Sequence, residues 1–349
     1  MKFRIAFLGI DHPHGAGWRQ SMDLLRDEIE LVAIVPRFGG SLASLEERSA
    51  ELPRFETVAE LVAWGHFDGA VVCLTNAESP SAIIQLAEAG KAILAEKPAA
   101  AGLDDFAAAA SAVERTGVAF RSGYLWRYDA AAERLRDMVR DGRFGRLISI
   151  EMIWVTSNVR RRDPQHYLFD PALSGGGFFN WLGCHWLNLL PYVTGMRVTA
   201  VTARLGNFGE TPTSLDDGGA AILELGDRTL ATFTGGYWLP RWTGESRWTL
   251  RGAERWVHWD AQRPGTGGVL EIHGPQPHFQ PMDEVFTIPA DATPGYGGQR
   301  TVRLLRDWLA AARGEPADSR CDLMSTCETL RLLDAIQTAS TTGRRLNLS

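Results

Sequence analysis

Two segments carry the residues best suited to chemistry. One is Lys91-Ala-Ile-Leu-Ala-Glu-Lys97-Pro98; the other is Gly175-Gly-Gly-Phe-Phe-Asn-Trp-Leu-Gly-Cys-His185. The first reads as a buried strand ending in a lysine. The second reads as a glycine-rich turn entering a helix that carries a histidine. Chemistry on a substrate hydroxyl needs a base for the hydroxyl proton and a group that stabilises negative charge developing on the oxygen. An imidazole titrates near neutrality and suits the base. An ammonium close to the oxygen lowers the alcohol's pKa and stabilises negative charge. Lys97 and His185 are therefore the candidate catalytic pair. Trp181, His185 and Asn188 fall at i, i+4 and i+7 and share one predicted helix face, expected to look toward a cleft. Leu182, Trp186 and Leu189 are expected to enter the core.

The elements that hold these residues follow from hydrophobic patterning. Continuous apolar runs at Phe3–Gly9, Leu31–Val35, Gly69–Leu74, Ala92–Ala95 and Val118–Ser122 read as buried strands. Helical spacing occupies Trp18–Leu25, Leu42–Ala50, Val58–Trp64, Ser81–Ala89 and Asp104–Thr116. Buried strands alternating with helices predict an α/β, Rossmann-type doubly wound parallel sheet over residues 1–122. Lys97 would then follow the carboxyl edge of a strand, where ligands of open α/β sheets bind. The character changes near residue 147, after a turn at Asp141-Gly-Arg-Phe-Gly145. Leu147–Val155, Val198–Leu205, Gly218–Leu225, Thr229–Gly235, Arg247–Arg251 and Arg255–Asp260 read as strands. Helices are expected at Phe179–Val193, Gly298–Ala311 and Asp322–Ser340, and a surface loop at Pro264–Pro281. Residues 123–349 are thus expected to form an α+β domain with a mostly antiparallel sheet, its C-terminal helices free to pack back on the first domain.

The loop after the first strand departs from a G-x-G-x-x-G phosphate loop, in which glycines let the backbone approach a pyrophosphate. It reads Gly9-Ile-Asp-His-Pro-His14-Gly-Ala-Gly17, with Asp11 and His14 at the second and third glycine positions. An aspartate facing a pyrophosphate is unfavourable unless it points away or is paired; His12 and His14 could donate to phosphate instead. A modified nucleotide loop, a metal site on Asp-His-Pro-His and a polar loop with a helix cap all stay open here. A metal site would need further ligands, and none is suitably placed. The second strand normally ends in an acid for the ribose hydroxyls. Here Val35 is followed by Pro36-Arg37, a change that accommodates a 2′-phosphate and tilts the cofactor from NAD toward NADP.

Composition narrows the class. The 349 residues exceed a single core, and 45% hydrophobic with 22% charged residues is ordinary for a globular protein. The net charge of −6 and the lack of a basic block argue against nucleic acid as partner. Cys73, Cys184, Cys321 and Cys327 form no C-x-x-C pair and read as reduced cytosolic thiols. No signal peptide and no membrane span are expected, so the predicted location is cytoplasmic.

Taken in order, several segments resemble the Gfo/Idh/MocA oxidoreductase family. Asp68-Gly-Ala-Val-Val-Cys-Leu-Thr75-Asn76 resembles its third strand, and Ala87-Glu-Ala-Gly90 through Glu96-Lys97-Pro98 its A-G-K…E-K-P signature. Ser122-Gly-Tyr-Leu-Trp126-Arg127-Tyr resembles the segment leaving the first domain, and Gly175 through His185 the G-G-G-x-x-x-D-x-G-x-H turn. Asp216-Asp217 and the C-terminal Thr342-Gly343-Arg also match. The resemblance implies a Rossmann domain, an α/β domain with a large antiparallel sheet, and NAD(P)-dependent dehydrogenation or reduction of sugars, cyclitols and polyols. It implies that Lys97 and His185 line the active site. Gly9, Asp11, His12, His14, Arg37, Thr75, Asn76, Glu96 and Lys97 are the expected cofactor contacts. Trp126, Arg127, His166, Asn180, Trp181 and Asn188 are the expected substrate contacts. Two positions depart from the pattern: the family aspartate is Trp181, and the one often found after the histidine is Asn188. Trp181 could offer a stacking surface for a sugar, as could Trp126, Trp154, Trp238 and Trp242. Arg160-Arg-Arg162 reads as a solvated charge run or an acidic-group contact. A member retaining its nucleotide for net non-redox chemistry, such as elimination or glycosidic cleavage, is the second expectation; a silent binding protein is the third. The resemblance also implies a homodimer or homotetramer.

Overall fold

The computed structural model describes residues 1–40, 51–160, 162–211, 213–226, 228–275 and 283–348; the predicted helix Leu42–Ala50 lies outside them. The chain divides into two compact units.

The first unit comprises Met1–Tyr128 and Ala292–Glu328. Strands β1 (Phe3–Leu8), β2 (Ile29–Val35), β3 (Gly69–Val72), β4 (Ala92–Ala95) and β5 (Phe120–Ser122) form one parallel sheet in the order β2-β1-β3-β4-β5. Ile5 to Leu8, Ala70 to Val72 and Ile93 to Ala95 are fully buried, as the unbroken apolar runs require. Helices α1 (Gly15–Asp23), α2 (Val58–Trp64), α3 (Ser79–Glu88) and α4 (Leu103–Thr116) connect them. Thr57 and Glu60 form a reciprocal capping box at the start of α2, and Gly65, at φ +71, ends it. The strand order reverses direction between β1 and β3, so the switch point falls where Gly9 and Cys73 follow their strands.

The second unit comprises Asp129–Asp291 and Thr329–Ser349. It holds α5 (Ala130–Arg140) and a nine-stranded sheet: β6 (Leu147–Ser157), β7 (Val198–Gly206), β8 (Gly218–Leu225), β9 (Thr229–Leu239), β10 (Gly244–Gly252), β11 (Trp256–Asp260), β12 (Val269–His273), β13 (Asp283–Thr287) and β14 (Leu346–Asn347). Their order is β13-β12-β11-β10-β6-β9-β8-β7-β14. Among these strands β6 and β9 pair in parallel and the other neighbours are antiparallel. Strand β12 corrects the loop expected over Pro264–Pro281 at residues 269–273, and residues 276–281 of that span lie outside the described residues. Val269-Leu-Glu-Ile-His alternates buried Leu270 and Ile272 with outward Glu271 and His273, a strand period hidden by the flanking glycines and prolines. One face of the sheet carries the core. Trp248 and Trp259 are fully buried there and pack on Trp186 at ring-centroid distances of 5.5 and 5.6 Å.

Candidate active site

In the first unit, the loop after β1 is a compact turn built on backbone. Gly9 has φ +66, and a Cβ there would lie 2.1 Å from the Cys73 carbonyl oxygen. A Cβ at Gly15 would lie 2.0 Å from the Ile10 carbonyl oxygen. Gly17 meets a different neighbour: its Cβ would fall 2.6 Å from the Tyr296 side chain. The late glycines thus fold the loop and seat the Pro294-Gly-Tyr-Gly-Gly298 segment on α1. That packing was not foreseen, and Tyr296 was absent from the expected site.

Asp11 resolves its electrostatic problem by pointing away. Its two carboxylate oxygens accept the backbone N–H groups of Arg37 (2.7 Å) and Phe38 (2.6 Å). The side chain is therefore a clamp on the segment after β2, which corrects its assignment as a direct cofactor contact. The loop accordingly presents no unpaired carboxylate at this position and fits a dinucleotide. His12 Nδ1 accepts the His14 N–H at 3.0 Å, which leaves its Nε2 as the donor atom. The His14 ring stacks on Tyr296 at 4.2 Å, with Nδ1 3.6 Å from Glu96 Oε1. Glu96 Oε2 accepts the indole N–H of Trp18 at 2.7 Å. Burial alone would raise the Glu96 pKa, but His14, Lys97 and His12 outweigh it and hold the carboxyl down to about 2. Lys97 lies two residues beyond the end of β4 and is itself buried.

Thr75 and Asn76 lie buried after β3. The Thr75 hydroxyl donates to Glu78 Oε2 at 2.8 Å, and Arg37 Nε donates to Glu78 Oε1 at 2.6 Å. The guanidinium that suggested a 2′-phosphate is thus already paired with a carboxylate. Trp126 lies under the Arg300 guanidinium at 4.0 Å from the ring centroid, and Arg127 donates to the Arg320 carbonyl. These contacts are internal to the first unit; they tie the Leu125–Tyr128 turn to the segment that ends the unit.

In the second unit, His185 stands at the start of α6 (Cys184–Thr194), directly after a π-helical turn at Phe179–Gly183. The expected single helix from Phe179 is therefore two helical forms, and the π turn breaks the i, i+4, i+7 spacing read from sequence. The approach to it is pinned by one residue. Asp216 accepts the N–H groups of Gly177 (2.9 Å) and Phe179 (3.2 Å) through its carboxylate and that of Phe178 (3.0 Å) through its carbonyl. Burial raises the Asp216 pKa against those backbone donors. The His185 ring lies beside Trp154 at 5.9 Å and an interplanar angle of 28°, and Trp154 packs on Trp186 at 4.7 Å. Trp181, also buried, meets Tyr167 edge-on at 5.9 Å. Asn180 sits beneath Gly176, whose Cβ would fall 2.6 Å from the Asn180 amide. Asn188 departs from expectation: its amide donates to the Thr329 hydroxyl at 2.8 Å in the interior, tying α6 to the C-terminal helix Leu323–Thr342. His166 caps the turn Tyr167–Phe169 through Nδ1, and burial with Arg162 nearby lowers its pKa. Trp238 donates its indole N–H to Asp217 at 3.1 Å, while Trp242 is 91% exposed. Of the tryptophans proposed for a sugar pocket, Trp154 and Trp181 stand with the histidine helix. Within the Arg160–Arg162 run, Arg160 donates to the Gly209 carbonyl at 2.9 Å and Arg161 lies outside the described residues.

Comparison with known proteins agrees with this architecture. The model for the oxidoreductase family with an NAD-binding Rossmann fold matches residues 3–124, and that for the GFO/IDH/MocA C-terminal domain matches residues 132–258. The uncharacterized oxidoreductase YrbE of Bacillus subtilis is 29% identical over 172 residues, 48% of this chain and 44% of that protein. The match therefore spans less than half of that relative's length. The myo-inositol dehydrogenase of Streptomyces leeuwenhoekii is 27% identical over 310 residues, 86% of each chain. Levoglucosan dehydrogenase in complex with NADH shares the fold, with a TM-score of 0.86 over 100% of both chains at 15% identity. Among the described residues, no helix is long and apolar enough to cross a membrane.

Proposed function

This chain belongs to the Gfo/Idh/MocA family of oxidoreductases, and on that premise we propose that it moves a hydride between NAD(P) and a secondary alcohol or carbonyl of a sugar, cyclitol or related polyol. The observation that carries the reading is the buried Glu96-Lys97 pair at the carboxyl edge of a doubly wound parallel sheet, one strand from its switch point. Bound NAD(P) supplies the hydride acceptor or donor. Gly9, His12, His14, Thr75 and Asn76 are the residues that would hold it. The Lys97 ammonium stabilises the alkoxide. His185 takes the hydroxyl proton on its imidazole, and Trp154 fixes the plane of that ring. In the oxidative direction the substrate loses a hydride and a proton, leaving a carbonyl. Trp181 offers an aromatic surface to a sugar ring in place of the family carboxylate.

That substitution also favours keeping a second reading, in which a retained nucleotide serves net non-redox chemistry such as elimination or glycosidic cleavage. The decisive experiment is titration of the protein with NAD⁺, NADP⁺, NADH and NADPH, followed by turnover with cyclitols and sugars. Binding with stoichiometric NAD(P)H formation is the expected result. Product without net reduction selects the second reading, and no binding of any of the four at millimolar concentration sinks both.

We propose further that the protein is a homodimer or homotetramer assembled on the outer face of the nine-stranded sheet. That face presents Leu230, Ile222 and Trp256 at 44, 46 and 42% exposure.

A further inference from the structure

We infer that Glu78, acting with Arg37, is the acid that selects a nucleotide with a free 2′-hydroxyl over one carrying a 2′-phosphate. The inference rests on the reading that this chain binds NAD(H) or NADP(H), and it deepens that reading to one of the two. The sequence by itself points the other way, because β2 ends without a carboxylate and with Arg37 close behind. The structure supplies the missing carboxylate from another element. Glu78 is the N-cap residue of α3, after β3, yet its Oε1 lies 2.6 Å from both Nε and Nη2 of Arg37. Its other oxygen accepts the buried Thr75 hydroxyl at 2.8 Å, and Thr75 Oγ1 in turn accepts the Glu78 N–H at 3.3 Å. The carboxylate is therefore held from two sides and is not a loose surface charge. Arg37 is fixed as well, since Asp11 holds its backbone N–H at 2.7 Å.

Exposure separates the two acids. Both Asp11 oxygens are occupied by backbone donors in a side chain that is buried, whereas the Glu78 side chain keeps 31% exposure and that of Arg37 51%. The open face of the pair lies at the carboxyl end of the sheet, beside the reversal between β1 and β3. A ribose diol brings two O–H donors and needs an acceptor there, which a carboxylate is. A 2′-phosphate brings about two negative charges. It would have to displace Glu78 from Arg37 or sit against it, and both are unfavourable.

The test is titration of NADH and NADPH, followed by nicotinamide fluorescence at low ionic strength, on the protein and three variants. Glu78→Gln keeps an oxygen for the Thr75 hydroxyl but frees the guanidinium. The wild type should bind NADH more tightly than NADPH. In Glu78→Gln, NADPH affinity should rise about tenfold and NADH affinity fall several-fold, with the NADPH gain shrinking as salt is added. The gain should vanish in Glu78→Gln/Arg37→Ala, while Arg37→Ala alone should keep the preference for NADH. A wild type that favours NADPH, or a Glu78→Gln variant with an unchanged NADH-to-NADPH ratio, overturns the inference while leaving the cofactor reading intact. Failure of the wild type to bind either nucleotide overturns the cofactor reading itself.

Discussion

Glu96 sits where burial and charge oppose each other. Burial favours its neutral form, and the neighbouring His14, Lys97 and His12 favour the carboxylate, moving its pKa from an ordinary 4.5 to about 2. The folded-state value is depressed, so the stabilisation is fully present above about pH 4.5 and is lost as pH falls toward 2. The linkage relation makes this about 3 kcal/mol. Acid unfolding should therefore be steeper between those limits in the wild type than in Glu96→Gln, which keeps an oxygen for Trp18. Parallel curves for the two would show that its surroundings do not hold the carboxyl ionised. Lys97 is the sharper test of chemistry: Lys97→Met should lower turnover at saturating nucleotide by about 10²–10⁴-fold, in the range of a lost acid–base or alkoxide-stabilising group. Near-native turnover would remove Lys97 from the mechanism. Residue type and local motif were enough to single out Lys97 and His185 as candidates. Tyr296, Glu78 and the Asp11 clamp were not, because each acts on a partner distant in sequence and no local pattern encodes the pair.

Elements were readable wherever one period dominated. Strands β3 and β4 are unbroken apolar runs, β1 and β2 carry one charged residue each near the start, and the alternating strands of the second sheet show their two faces directly. The failures have local causes. Strand β12 is short and lies between Gly/Pro-rich stretches, and the π turn at Phe179–Gly183 has no sequence period of its own. That turn depends on the Asp216 contacts, which take three successive N–H groups from Gly177 to Phe179. Space there is exhausted: a Cβ on Gly177 would lie 1.7 Å from the Asp216 carbonyl oxygen. Gly177→Ala should thus cost at least about 2 kcal/mol, since backbone, not a flexible side-chain tip, must move. Asp216→Asn should cost about 1–3 kcal/mol by presenting an amide donor to an N–H that needs an acceptor. Urea unfolding measures both, and a Gly177→Ala midpoint equal to wild type would show that the turn has room that the structure denies it.

At the scale of the whole chain, the two faces of the second unit's sheet differ: one carries the core and the other is exposed in the single chain. Inward residues such as Trp248, Trp259, Phe233 and Leu223 are fully buried within the unit. Across the outer face, register places Ser149, Leu230 and Glu224 in one row and Glu151, Thr232 and Ile222 in the next. The face is thus mixed, with Leu230 and Ile222 exposed among carboxylates and hydroxyls, and they are the apolar positions on which the proposed assembly can be tested. Two copies meeting there would remove Leu230 and Ile222 from water, whereas a lysine at either position would have to desolvate its charge on assembly. Sedimentation velocity should show a dimer or tetramer for the wild type. Leu230→Lys and Ile222→Lys should shift it to monomer while leaving the circular dichroism spectrum unchanged, since neither side chain contributes to the inner core. A monomeric wild type, or an assembly indifferent to both substitutions, would place the contact elsewhere.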